Sequence, residues 1–140
     1  MKQYEANNRS SIRELLDRLN LCHDGVIRRI SFRKGREYDE QGNICYLYEL
    51  DEHNIHCNIE IELLLNSHIG ASKKQVVFLI FTDVISFRFF QERTFDYSEI
   101  YEVNFKQTNN GTFEFSFIEH SQKRILSLLI DSPQLICKEI

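Results

Sequence analysis

Tryptophan is absent from this chain of 140 residues, proline occurs once, at Pro133, and glycine only five times. Proline removes a ladder donor and glycine weakens a strand interior, so their scarcity leaves room for long, uninterrupted strands. No apolar stretch approaches the ~18 residues a membrane helix needs. No basic-then-apolar leader opens the chain, so a cytoplasmic location is expected. The four cysteines (Cys22, Cys45, Cys57 and Cys137) include no CxxC pair, which argues against a structural zinc site. A glycine-rich phosphate loop, GxSxG, HExxH and the EF-hand pattern are all missing, so no cofactor or metal is expected. Without internal repeats, low-complexity tracts or linkers, residues 1–140 read as a single domain.

What is present is globular in composition, with 42% hydrophobic and 27% charged residues. Eleven Phe and six Tyr suit a pleated, half-buried surface. The net charge of −4 disfavours nucleic acid as a partner, because phosphate neutralisation needs a basic face. That total hides an asymmetry, since residues 1–40 are net +2 and residues 41–140 net −6.

Ile12, Leu15, Leu16 and Leu19 recur at helical spacing and predict one amphipathic helix over about 10–22. Ser11 with Glu14 offers a capping box, Ser10 competes as the cap, and Gly25 is the residue expected to take positive φ in the following turn. Strands follow from about 26 to 131. In Val26–Lys34, Val26, Ile30 and Phe32 share one face, and Arg29, Ser31 and Arg33 the other. Val76–Phe81 is apolar throughout, as a central strand covered on both faces would be. The expected architecture is α+β, with one N-terminal helix packed on a large, mostly antiparallel twisted sheet or β-roll of about seven to eight strands.

Two hairpins can be tested for register, because a one-residue slip exchanges the faces. A His53-Asn54 loop sets Leu50, Tyr48, Tyr46 and Ile44 against Cys57, Ile59, Ile61 and Leu63, all apolar or aromatic. Its other face then collects Glu49, Asp51, Glu60 and Glu62, with Asn58 nearby. For the second hairpin, a three-residue Asn109-Asn110-Gly111 loop sets Phe105 against Phe115, Val103 against Phe117 and Lys106 against Glu114.

Three groups carry candidate chemistry. His23-Asp24, at the joint of helix and sheet, has the residue types of a proton-transfer pair or of the wall of a small-ligand pocket. The bland alternative is a turn organised by Asp24, with His23 capping the helix C-terminus. Arg28, Arg29, Arg33, Lys34 and Arg36 place five cations in nine residues, able to grip phosphate or an acidic partner, or else form a solvated strand end. Arg28, on the apolar face of its strand, also suits pairing with an acid. The acidic ribbon of Glu49, Asp51, Glu60 and Glu62 suits a basic protein surface, although a solvated face would look the same. Like charges along a flat ribbon do not converge as a metal cage must, and Cys57 reads as a small core residue.

The order of helix, "LCHDGVIRRISF", strand pair, "VVFLIFTDVISFRF", polar link, "SEIYEVNF" and closing hairpin resembles a loose group of small bacterial domains. In these a His-Asp-small-x-aliphatic step follows a helix, and His23, Asp24, Val84, Phe87 and Ile100 are the matching positions. Some members resemble immunity proteins of polymorphic toxin systems, and the group supplies no catalytic residues. The resemblance implies a non-enzymatic, protein-binding domain whose partner is a bacterial toxin. The alternative is an enzymatic or small-ligand module with a pocket near His23 and Asp24.

Overall fold

The computed structural model describes residues 2–34, 36–46, 57–66, 74–90, 99–119 and 126–140. Among them are strand β1 (Lys2–Ala6), helix α1 (Arg9–Arg18), a short turn of 3-10 type (Asn20–Cys22), β2 (Val26–Lys34), β3 (Arg36–Tyr38), β4 (Ile44–Tyr46), β5 (Cys57–Asn66) and β6 (Lys74–Thr82). They continue with β7 (Ser86–Phe89), β8 (Ile100–Gln107), β9 (Phe113–Glu119), β10 (Leu126–Ser132) and β11 (Gln134–Glu139). The fold is α+β and antiparallel throughout. A five-stranded sheet has the order β1-β11-β6-β5-β2, a four-stranded sheet β7-β10-β9-β8, and β3 pairs with β4 alone. The eleven described strands exceed the expected seven to eight because Lys2–Ala6 and Gln134–Glu139 pair with each other outside the expected 26–131 span, and the short Arg36–Tyr38 adds a third.

The two sheets face each other across the core. Ile59, Ile61 and Leu63 of β5 and Val77, Leu79 and Phe81 of β6 are buried on one side, and Phe115, Phe117, Leu128 and Ile130 on the other. Phe81 packs edge-on against Phe115 and Phe117, with ring centroids 4.9 and 6.2 Å apart, a geometry worth about 0.5–1.5 kcal/mol per pair beyond burial. Among the described residues, the chain passes between these two facing sheets at two places. One is Asp83–Ile85, where Asp83 takes φ 50. The other is Pro133, the single residue between β10 and β11. A residue leaving one ladder for another needs no N–H, so the lone proline costs no hydrogen bond there. Ser132 Oγ braces this corner by bonding the carbonyls of Thr82 and Gln134.

The helix buries Ile12, Leu15 and Leu16, with Leu19 just beyond its end, as their spacing predicts. Its start differs. Asn8 is the N-cap, accepting from the Ser11 amide, while the Ser11 hydroxyl reaches back to the Asn8 amide. Ser11 is therefore the reciprocal half of the box, Glu14 has no part in it, and Asn8 outcompetes Ser10 because it stands three residues before Ser11. The helix also stops at Arg18 rather than near Cys22. Asn20, Leu21 and Cys22 take φ of 51, 54 and 56, so the chain turns left-handed at once. The positive φ expected at Gly25 falls instead on Asp24, at 61, and Gly25 is required by space.

The β8–β9 hairpin has the expected register, with Phe105 opposite Phe115, Val103 opposite Phe117 and Lys106 opposite Glu114. Gly111 takes φ 78 in its loop. The other hairpin is not formed as expected. Tyr46 and Ile44 pair with Arg36 and Tyr38, not with Ile61 and Leu63. Those β5 residues instead lie between Ile30 and Ile27 of β2 and Leu79 and Val77 of β6. Polarity matching alone could not separate these pairings, since β2 offers β5 an equally apolar row. Residues 47–56, including the proposed His53-Asn54 loop, Glu49 and Asp51, lie outside the described residues.

Candidate functional site

The helix and the second sheet both pack on one face of the five-stranded sheet, through Arg18 on Tyr4 and Phe81 on Phe115. The registers define the opposite face row by row. One row runs Gln3, Lys138, Phe78, Glu62, Arg29; the next runs Glu5, Ile136, Ile80, Glu60, Ser31; a third runs Gln134, Thr82, Asn58, Arg33. Val76, Leu64 and Val26 continue the surface at one end. Its centre is therefore apolar (Val76, Phe78, Ile80, Ile136, Leu64) and its margin polar. Each of those five is only partly buried. The uniform apolarity of β6 thus reflects a buried row on one face and a half-covered row on the other, not full cover on both.

A β-bulge between Ile27 and Arg29 sets the β2 margin. It moves Val26 onto the face of Arg29, Ser31 and Arg33, leaving Ile30 and Phe32 opposite Ile61 and Ile59. Both Arg28 and Arg29 approach Glu62, at 3.5 and 3.8 Å, with side chains 50% and 63% exposed. Arg28 therefore does pair with an acid, in a half-exposed position. One carboxylate shared by two guanidinium groups leaves net positive charge. Exposed pairs of this kind contribute only about 0–1 kcal/mol, so their role lies in the surface field more than in stability. Beside them is a shallow concavity of about 480 Å³, lined by Arg29, Ser31, Arg33, Asn58, Glu60 and Lys138 together with Phe32 and Ile80.

This arrangement alters the acidic ribbon. Glu60 and Glu62 do share a face, but β2 lies beside them and surrounds them with Arg28, Arg29 and Arg33. Glu49 and Asp51 lie outside the described residues. Lys138, Ile80 and Phe78 were not visible as site residues, because only the strand order β11-β6-β5 brings them beside Glu60 and Glu62. The available signal is the alternation of Asn58, Glu60 and Glu62 against Val76, Phe78 and Ile80 in the outer row of β6.

His23 and Asp24 occupy the joint between the turn and β8. The Asp24 amide donates to the Ile100 carbonyl at 3.0 Å, and the Ile100 amide to the Gly25 carbonyl at 2.8 Å. His23 Nδ1 donates to the Tyr101 carbonyl at 2.7 Å, and its ring meets the Tyr101 ring edge-on at 5.1 Å. Asp24 Oδ1 stands 3.6 Å from the same nitrogen. His23 thus ties the joint to β8 rather than capping the helix. Neither the concavity on the outer face nor a second one of about 390 Å³ between β1 and α1 includes this pair. The other positions that carry the resemblance are also structural: Ile100 is buried, Val84 donates its amide to the Cys57 carbonyl, and Phe87 packs on the core.

Cys22, Cys57 and Cys137 are free, buried thiols. Burial pushes Cys22 and Cys137 up to about 12, so neither is a nucleophile near neutral pH. Among the described residues, no three His, Cys, Asp or Glu side chains converge as metal ligands would, and no helix is long and apolar enough to cross a membrane. Compared with known proteins, the chain matches no family model, no curated protein and no solved structure.

Proposed function

We propose that this chain is a non-enzymatic, cytoplasmic protein-binding domain that works as immunity proteins do, by occluding a toxin. Its contact is the outer face of the five-stranded sheet, including Glu60 and Glu62. One observation carries the reading: an incompletely covered apolar centre of Phe78, Ile80 and Ile136, ringed by Arg29, Glu60, Glu62 and Lys138. An apolar centre inside a charged rim is the general anatomy of protein interfaces. The enzymatic alternative at His23-Asp24 has less support, because the joint itself accounts for the orientation of that ring.

The test compares proteins retained from source cells by the unaltered chain and by an Ile80→Arg variant. Ile80 keeps only part of its side chain in solvent, on the outer face of its strand, so the variant is expected to retain a cooperative thermal transition and to lose the retained partner. Retention by a folded variant removes this face from consideration. The immunity function is tested by growth: the chain must rescue cells expressing the toxic product of its neighbouring gene, and Ile80→Arg must not. A harmless neighbour refutes that part.

A further inference from the structure

A buried polar side chain lies in the concavity on the outer face of the five-stranded sheet. Asn58 is only 6% exposed, lines the concavity, and stands opposite Arg33 of β2. Its Oδ1 accepts from the Asp83 amide at 3.2 Å. That bond fixes which way the carboxamide lies, because an N–H demands the oxygen and leaves the NH2 group on the other side. Among the described residues nothing accepts from Asn58 Nδ2. Buried donors in folded proteins have acceptors, so this one calls for an acceptor supplied from outside the chain.

The surroundings define that acceptor. Ser31 follows Arg33 on the same face, about 6.6 Å along the strand, and no described group bonds its hydroxyl. Arg33 and Lys138 line the same concavity and make no ion pair among the described residues, whereas Arg29 is already drawn to Glu62. Glu60 is the single carboxylate of the lining, and Ile80 and Phe32 complete it with apolar surface. Two uncommitted cations therefore outnumber one anion, with two neutral donors beside them.

Resting on the protein-binding reading, we infer that this concavity takes one acidic side chain of the partner. Its carboxylate is held by Arg33 and Asn58 Nδ2, and its apolar neighbours lie over Ile80 and Phe32. A carboxylate is acceptor-only, with two oxygens, so it takes bonds from a guanidinium and an amide at once. Glu60 disfavours a phosphate or a nucleic-acid backbone, whose second or repeated charge would face it. The shallow shape suits a side chain offered from a protein surface better than a metabolite, which needs deeper enclosure.

The test follows the side-chain NH2 resonances of Asn58 in the full, isotope-labelled chain while acetyl-Leu-Glu-Leu-amide is added. The same titration is run with acetyl-Leu-Gln-Leu-amide, with succinate and with inorganic phosphate. The Glu peptide is expected to shift those resonances saturably, and the Gln peptide to bind about tenfold or more weakly. Arg33→Gln, at an exposed position, is expected to weaken the Glu peptide about tenfold. Asn58→Asp keeps an acceptor for the Asp83 amide and removes the donor, so it is expected to weaken the peptide at least as much. Should that variant fail to fold, Arg33→Gln and the Asn58 resonances decide. Unmoved Asn58 resonances, equal binding of the Gln peptide, tighter binding of succinate or phosphate, or full binding by Arg33→Gln would each overturn the inference. If the Glu peptide fails while Ile80→Arg still abolishes partner retention, only the carboxylate site falls. If Ile80→Arg also retains the partner, the reading beneath it falls too.

Discussion

At Gly25 an added Cβ would lie 2.8 Å from Leu65 Cδ2 and 2.9 Å from the Cys22 carbonyl oxygen. The second neighbour is backbone and cannot swing aside. Gly25→Ala is therefore expected to cost about 1–3 kcal/mol, as overpacking does, and a urea titration measures it. A shift below about 0.5 kcal/mol would mean that the joint relaxes freely. This glycine shows where residue-level reading stops. A turn is legible from His23-Asp24-Gly25, yet torsional freedom alone points to the glycine for the positive φ. The strain actually falls on Asn20, Leu21, Cys22 and Asp24, held by the contacts of Asp24 and His23 with β8. The His23–Tyr101 contact joins residues 78 positions apart in the chain, which no local pattern records.

Among the elements, the β8–β9 hairpin was legible to the residue, and the reason is chemical. Phe105, Phe115 and Phe117 demand a common buried face, Lys106 and Glu114 demand the other, and only one loop length satisfies both. Its Gly111 has nothing within 4 Å of an added Cβ, so a substitution there reads torsion alone. Gly111→Val is expected to lower stability by about 1–2 kcal/mol, the penalty of a left-handed L-residue. A neutral result by thermal denaturation would show that the loop has changed its turn type. The β4–β5 pairing failed because apolar matching is necessary and not sufficient. Ile30 and Ile27 satisfy Ile61 and Leu63 as well as Tyr46 and Ile44 would have. The candidate site has the same limit: Glu60 and Glu62 are legible on one face, but only the pairing of β2 with β5 brings Arg29 and Arg33 beside them.

For the whole molecule, two thiols link fold stability to pH. Burial raises Cys22 and Cys137 from 9.0 to about 12, while in the unfolded chain they keep their ordinary value. Above that ordinary value the unfolded state releases protons that the folded state retains. The stability from keeping both thiols neutral is thus fully present below about pH 9 and lost as pH rises toward about 12. Urea midpoints are expected to fall steeply across that window, and less steeply in Cys22→Ala. Equal slopes would refute the linkage. The α+β class and antiparallel sheet were legible from the strand-forming patterns, whereas the division into two facing sheets was not. It depends on where the chain leaves one ladder for another, and Pro133 and Asp83 mark those points without declaring their meaning.

The pairing of β1 with β11 has a consequence in time. During synthesis β1 and the helix emerge more than a hundred residues before the strand that must lie between β1 and β6. Until then the apolar stripe of the helix has no finished platform, and β6 has an open flank where β11 belongs. The five-stranded sheet therefore cannot be completed before Gln134–Glu139 has been made. Over that interval Ile12, Leu15 and Leu16 lack the cover they have in the finished fold, an exposure that the final structure no longer displays.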